Sequence, residues 1–231
     1  MTLPDWDNAQ VRQGLQRMLA LRSKRLAGGE KAIGWKLAFG APSSLARFGL
    51  SAPLFGFLAE ATTLPPGSTV SCVGWGRPVA EPEIAVHIGR DVEPGSTRVA
   101  EAIAGIGAAI ELADVHPPSE DIEEILAGNI FHRAVILGAA EPARAGGTRD
   151  GMRARVAQDG IEVANTSDLE ALTGDLIEVV GHAAMLLAAA GERLRAGEVV
   201  ITGSIVPPLA IQPGQEVVFE LIPLPAISVR V

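Results

Sequence analysis

Glu81 and Glu83 flank Pro82 at the start of an apolar run, Ile84-Ala85-Val86, and Glu111 sits inside another, Ala108-Ala109-Ile110-Glu111-Leu112-Ala113. A carboxylate in an apolar strand costs free energy unless it is paired or coordinated. Residues i and i+2 of a strand share a face, so Glu81 and Glu83 can reach one ion. With Glu111 they would form an oxygen-only site for a hard divalent cation, Mg²⁺ or Mn²⁺. Pro82 lacks an N–H, which predicts a sheet edge or a bulge here. Alone, the Glu-Pro-Glu pair reads more simply as two solvated acids beside Arg77 or Arg90. Glu111 shifts that balance, because its neighbours make solvent exposure costly.

Lys36, in Gly34-Trp35-Lys36-Leu37, is a lysine in an apolar strand and could act as a general acid/base or a carboxylate anchor. Taken alone, a snorkelling side chain on an edge strand is the simpler reading. His87, His116, His132 and His182 show no metal-ligand spacing and read as ordinary polar or capping residues. His132, close to Asn129 on a loop before a strand, is the one that could belong to a site. Gly74-Trp75-Gly76 is too short for a phosphate loop, and neither a nucleotide fingerprint nor a Gly-x-Ser-x-Gly elbow occurs.

These residues need strands to hold them. An amphipathic helix is predicted from about Asp7 to Leu26, with Val11, Leu15, Met18 and Leu19 on one face and Gly28-Gly29 ending it. A strand follows at Ala32 to Leu37, then a helix start at Pro42-Ser43-Ser44 and a short apolar segment from Leu54 to Leu58. Ser96 or Thr97 is read as capping a helix to about Ile103, closed by Gly105 and Gly107. Ser119 and the acids after it suggest another helix, with those acids solvated. Asp159-Gly160 predicts a hairpin between Arg153–Gln158 and Ile161–Val163. Thr166-Ser167-Asp168 is read as preceding a short helix, and Asp175 to Ala190 as a longer one. Strands are expected at Ala134–Leu137, Val199–Ile205, Glu216–Leu221 and Ile227–Val231. Runs of strands with few helices indicate an α+β fold with a mixed or antiparallel sheet.

The chain has 231 residues, 48% of them hydrophobic, and a formal net charge of −8. This size fits one large domain with a small N-terminal appendage, divided as 1–30 (helical segment) and 31–231 (catalytic domain). The negative charge argues against nucleic acid or an anionic membrane as partner. The basic cluster Arg22, Lys24, Arg25 reads as a solvated helix face. Cys72, the single cysteine, is expected as a small buried apolar residue and suits a reducing compartment. No secretory signal or membrane-length apolar stretch is visible, so a cytoplasmic protein is expected.

Five segments, in order, resemble the 2-keto-4-pentenoate hydratase/2-oxohepta-3-ene-1,7-dioate hydratase group, which includes the 4-oxalocrotonate decarboxylases, within the fumarylacetoacetate hydrolase superfamily. They are Gly34-Trp35-Lys36-Leu37, Pro53-Leu54-Phe55-Gly56, Glu81-Pro82-Glu83-Ile84-Ala85, Ala109-Ile110-Glu111-Leu112 and the stretch from Leu194 to Ser204. The resemblance implies a mixed β-roll with peripheral helices, an Mg²⁺ or Mn²⁺ held by Glu81, Glu83 and Glu111, and Lys36 as the catalytic lysine. It also implies substrate contacts at Leu37, Phe55, Asn129, Thr202 and Gly203. The implied activity is a lyase of aromatic-compound catabolism: a hydratase of a small 2-hydroxy-2,4-dienoic or 2-oxo acid. A 4-oxalocrotonate-like decarboxylase and a metal- and oxo-acid-binding member with little activity are the alternatives. Homo-oligomers, or a hetero-complex with a related member, are implied.

The chain departs from the family's pattern at several places. Leu54 stands where an acid is usual, and Gly128-Asn129-Ile130-Phe131 where Asp-Asn-x-Ser is common. No arginine follows the third ligand strand near Val115 and His116. The usual Ser or Thr after the lysine strand is replaced around Phe39-Gly40, and Pro223-Leu224-Pro225 stands where a glycine is common. The three acids are kept while the polar groups that would handle water and protons are thinned out.

Overall fold

The computed structural model describes residues 5–231; the first four residues of the expected N-terminal segment lie outside them. From the N-terminus the chain forms α1 (Ala9–Ala27), β1 (Ala32–Ala38), α2 (Pro42–Phe48), β2 (Leu54–Ala59), β3 (Thr63–Leu64), β4 (Ser68–Thr69), β5 (Pro78–Ile88), β6 (Ile103–Asp114), α3 (Ile122–Ala127), β7 (His132–Leu137), β8 (Arg153–Gln158), β9 (Ile161–Thr166), α4 (Leu176–Ala189), β10 (Val199–Ser204), β11 (Leu209–Ala210), β12 (Glu216–Ile222) and β13 (Ile227–Arg230).

The strands make two mixed sheets. The larger runs β2-β1-β10-β5-β6-β7-β3, with β11 also paired to β5, and the smaller runs β4-β13-β12-β8-β9. β1 and β10 are parallel, whereas β5 is antiparallel to both β10 and β6. The expected α+β roll with few helices is what forms.

The larger sheet has two unlike faces. One belongs to the main core, with Trp35, Phe55, Ile84, Ile110 and the apolar faces of α1 and α4. The other carries a small separate cluster that includes Ala85, Ala109, Val135 and Ile201. Strand alternation explains the division. Glu81 and Glu83 share Ala85's face, Glu111 shares Ala109's, and Ile201 stands beside Lys36 on the parallel neighbour. The three acids and Lys36 therefore all belong to the face with the small apolar floor.

Several expectations change. No helix runs from Ser96 to Ile103; a single 3₁₀ turn, Val99–Ala102, leads into β6, and Gly105 and Gly107 lie within that strand. A Cβ on Gly105 would stand 2.7 Å from Glu141 O, and one on Gly107 2.9 Å from Ala139 O. These glycines thus admit the crossing 138–141 segment rather than end a helix. Turns replace the short helix expected after Asp168.

Of the cluster Arg22, Lys24, Arg25, only Lys24 is exposed as expected. Arg22 is 8% exposed, stacks 4.5 Å over Trp35 and pairs with Glu192 at 3.0 Å. Arg25 lies 5.3 Å over Phe57 and pairs with Glu30. Aromatic faces on β1 and β2 favour a stacked guanidinium over a hydrated one. The acids of α3 are not all free either, since Arg17 pairs with Glu123 and Glu124. Gly14 lets α1 approach α3, because a Cβ there would come within 2.8 Å of Leu126 Cβ.

Candidate metal centre

Glu81 and Glu111 face each other across the β5–β6 ladder, and Glu83 lies one pleat further along, opposite Ala109. One ligand oxygen from each of the three lies within 4.8 Å of the others. β5 is not an edge at Pro82, as it is flanked by β10 and β6. The bulge predicted there falls in the partner strand: the β10 register shifts between Ile201 and Ser204, where Pro82 has no N–H to offer. That shift aims the Gly203 N–H at Glu83 Oε2, 2.7 Å away. Gly203 meets this with φ 93°, a conformation that suits glycine.

Lys36, 1% exposed, donates to Glu111 Oε1 and to the Ile130 carbonyl at 3.1 Å. His132 Nδ1 lies 2.7 Å from the same Glu111 oxygen. A carboxylate can only accept, so Nδ1 carries the proton. The other ring nitrogen lies 3.1 Å from Thr62 Oγ1. The side chain reaches the site because the β6–β7 register shifts between Leu112 and Ala113, pairing His132 with Ala113. Arg133 is turned instead to Asp114, at 3.2 Å.

Burial pushes the Glu81 carboxyl up to about 7, helped by Glu111 and opposed by Lys36. Burial also raises Glu83 well above the carboxylate range, helped by Glu111 and Glu81 and opposed by Lys36 and the Gly203 amide. At Glu111 burial acts upward as well, but Lys36 and His132 outweigh it and hold the group below its usual value. Burial lowers His132, against the pull of Glu111.

The donor set fits a hard divalent cation. Glu111 spends one oxygen on Lys36 and His132, and Glu83 spends one on Gly203, so each keeps another oxygen for an ion. An octahedral ion with oxygens at about 2.1 Å places its ligand atoms roughly 3–4 Å apart, compatible with this cluster. Two acids with raised proton affinity beside a third carboxylate are also what a cation relieves.

A cavity of about 620 Å³ opens over the acids. Lys36, Leu37, Glu81, Glu83, Thr202 and Gly203 all line it. The Thr202 hydroxyl is buried without a hydrogen-bond partner among the described residues, the condition of a group made for a ligand. Phe131, Phe39 and Gly40, where the resemblance led one to expect polar residues, line the wall together with Ile130.

Two expected substrate contacts are not on that wall. Phe55 is fully buried and packs edge-on against Trp35, with ring centroids 5.6 Å apart. Asn129 accepts from Phe57 N at 2.8 Å and donates to Phe57 O at 3.0 Å, so its amide clamps β2 from behind. The clamp starts a run of positive φ at Asn129, Ile130 and Phe131 (59°, 52° and 60°). Such residues cost roughly 1–2 kcal/mol each in strain. The run presents the Ile130 carbonyl to Lys36. Leu54, where the resemblance led one to expect an acid, is buried and stands off the cavity. His132, the one histidine that its place before a strand singled out, joins the site through a bulge and a neighbouring strand rather than through ligand spacing.

A curled mixed sheet with three acids and a lysine on one face defines a class. The fumarylacetoacetate (FAA) hydrolase C-terminal model matches residues 41–231. The chain belongs to this family. It is 25% identical over 227 residues to a 4-oxalocrotonate decarboxylase of Pseudomonas sp, covering 96% of this chain and 87% of that one. It is 27% identical over 193 residues to a 2-keto-4-pentenoate hydratase of Burkholderia vietnamiensis, covering 81% and 73%. Its fold superposes on 4-oxalocrotonate decarboxylase from Pseudomonas putida G7, complexed with magnesium and adipate, with TM-score 0.83 at 24% identity over 92% and 82% of the two chains.

Proposed function

We propose that the protein is a divalent-metal-dependent lyase: a hydratase of a small 2-hydroxy-2,4-dienoic or 2-oxo acid in aromatic-compound catabolism. The observation that carries this reading is the convergence of half-buried Glu81 with buried Glu83 and Glu111 under a cavity that Lys36 and Thr202 also line. Mg²⁺ or Mn²⁺ bound there would supply Lewis-acid polarisation of the 2-oxo oxygen. Lys36 spends two of its three N–H donors on Glu111 and Ile130, and the third serves the charge that develops on the substrate's acid end. Thr202 and the Gly203 segment orient that end, and Leu37 packs beside it. Phe39, Ile130 and Phe131 keep bulk water from the unsaturated chain, and hydration adds one water across its double bond.

Decarboxylation is the second reading. It is favoured by relatives of that name covering nearly the whole chain and by the magnesium and dicarboxylate in the structural neighbour. The same electron sink at C2 would accept the pair released with CO₂. We infer that residues 1–30 act as a strap on a catalytic roll of 31–231, that copies of the chain assemble, and that it works in the cytoplasm. No helix among the described residues is long and apolar enough to cross a membrane.

The test is an Mn²⁺-supplemented screen of 2-oxo and 2-hydroxydienoic acids, reading ultraviolet loss and CO₂ release together. Ultraviolet loss without CO₂ is expected for the wild type. In parallel, Glu111→Ala should bind Mn²⁺ at least ~100-fold more weakly, since even outer-shell losses cost 10–100-fold. Equal affinity in the two proteins rejects the metal centre, and CO₂ in step with ultraviolet loss selects the decarboxylase.

A further inference from the structure

Glu111 is held by two donors of unlike kind. Its Oε1 accepts from Lys36 Nζ and from His132 Nδ1, the latter at 2.7 Å, and no donor reaches its Oε2 among the described residues. The lysine ammonium ends a flexible stem and carries rotatable donors, so it can follow the carboxylate if that group turns. The imidazole cannot, because its ring is rigid and its Nδ1–H points in one direction.

That ring is fixed from behind. His132 Nε2 lies 3.1 Å from Thr62 Oγ1, and the histidine side chain is 2% exposed. Thr62 ends the 3₁₀ turn Glu60–Thr62. β3 follows that turn and pairs in parallel with β7, matching Thr63 to Val135, so the threonine and the histidine are carried by neighbouring strands. With the proton on Nδ1, Nε2 accepts the Thr62 hydroxyl proton and His132 is neutral. The Ala59 carbonyl, the other acceptor within reach of Thr62 Oγ1, keeps a donor in Thr63 Oγ1 at 3.0 Å. A neutral donor holds Glu111 without adding a positive charge that would repel a cation.

The way a carboxylate is held bears on which ion it suits. Mg²⁺ demands near-ideal octahedral geometry and Mn²⁺ favours the same arrangement, whereas Ca²⁺ takes more oxygens and often uses both of one carboxylate. We propose that His132, set by Thr62, is a positioning residue that keeps Glu111 a one-oxygen ligand and so gives the centre a preference for Mg²⁺ or Mn²⁺ over Ca²⁺. The inference rests on the reading that Glu81, Glu83 and Glu111 hold a divalent cation. Glu83 is restrained in the same way, since its Oε2 accepts the Gly203 N–H at 2.7 Å. On Glu83 the restraint is backbone. On Glu111 it is a side chain, and it can be removed while Lys36 stays in place.

The test titrates the metal-free full chain with Mn²⁺ and with Ca²⁺ by calorimetry. The wild type should bind Mn²⁺ roughly tenfold or more tightly than Ca²⁺. His132→Leu should weaken Mn²⁺ by roughly 10–100-fold, the scale of a lost outer partner of a metal ligand, and weaken Ca²⁺ much less. His132→Asn keeps an N–H donor at the position of Nδ1 and should hold most of the preference. Thr62→Val should narrow the Mn²⁺-to-Ca²⁺ ratio by a smaller factor. A purely structural role for His132 would weaken both ions together and leave the ratio alone. That result, an unchanged ratio in Thr62→Val, or a loss in His132→Asn as large as in His132→Leu overturns the assignment. Should His132→Leu fail to fold, the ratios of His132→Asn and Thr62→Val decide by the same criteria. A wild type that binds both ions equally refutes the selectivity alone. If it binds neither ion, the reading of the metal centre fails and the inference falls with it.

Discussion

Each of the two sheets carries a cluster of charges that ties its strands together. On the larger sheet, Lys36 bridges to Glu111, which also holds His132; the Lys36 and Glu111 side chains are 2% and 1% exposed. On the smaller sheet, Arg155 of β8 reaches Glu162 on β9 and Glu220 on β12, with 42%, 44% and 32% of the side chains exposed. The pairing chemistry is similar and the energetic meaning differs. Water solvates the Arg155 cluster whether or not it is paired, so its net contribution is small. The Lys36 cluster has no such refuge, and removing one partner leaves the other buried without its pair. It also keeps two further acids, Glu81 and Glu83, that the lysine does not fully compensate, which a merely structural ion pair would have no reason to gather.

Breaking the buried cluster should give the largest effect. Lys36→Met is expected to destabilise the metal-free protein by roughly 3–5 kcal/mol, the usual consequence of removing one partner from a buried pair. Added Mn²⁺ should recover part of the loss, because a cation that binds only the folded state stabilises it. Urea unfolding with and without Mn²⁺ measures both. A loss under 1 kcal/mol would place Lys36 among the solvated pairs.

Titration is the intermediate case. Glu81 is raised from 4.5 to about 7, so the folded metal-free protein holds a proton that the unfolded chain releases. The corresponding stability is fully present below about pH 4.5 and is lost as pH rises through about 7. Metal binding has the opposite slope, since the cation must displace that proton. Mn²⁺ affinity should fall as pH drops below about 7, approaching tenfold per unit for one proton. Calorimetry in buffers of different ionisation enthalpy counts the protons released, and a flat profile from pH 5 to 8 would contradict the burial of Glu81. The exposed cluster supplies the smallest effect: Arg155→Ala should cost under about 1 kcal/mol and less in high salt. A larger, salt-independent loss in a melting experiment would erase the contrast between the sheets.

Much of the larger sheet was legible in the sequence because its strands are apolar and bounded by turn residues. The three acids were legible for the same reason, since a carboxylate stands out in such a strand. Gly105 and Gly107 misled because glycine in a strand and glycine ending a helix look alike until the crossing segment is seen. Arg22 misled because the aromatic rings that cover it come from β1 and β2. Asn129 and Phe55 lie in the right segments, but behind the wall. For Asn129, the amide's partner is the Phe57 backbone, which no local pattern announces.

By itself, the sequence determined the chemical type of the site: hard oxygen donors in apolar strands with a lysine in another. Donor chemistry belongs to the side chain, and strand periodicity fixes which acids share a face. Only the tertiary structure decided that one register shift brings His132 onto Glu111 and that another turns the Gly203 N–H to Glu83. Those outcomes depend on pairing between segments far apart in the chain, where a one-residue slip exchanges the two faces of a strand.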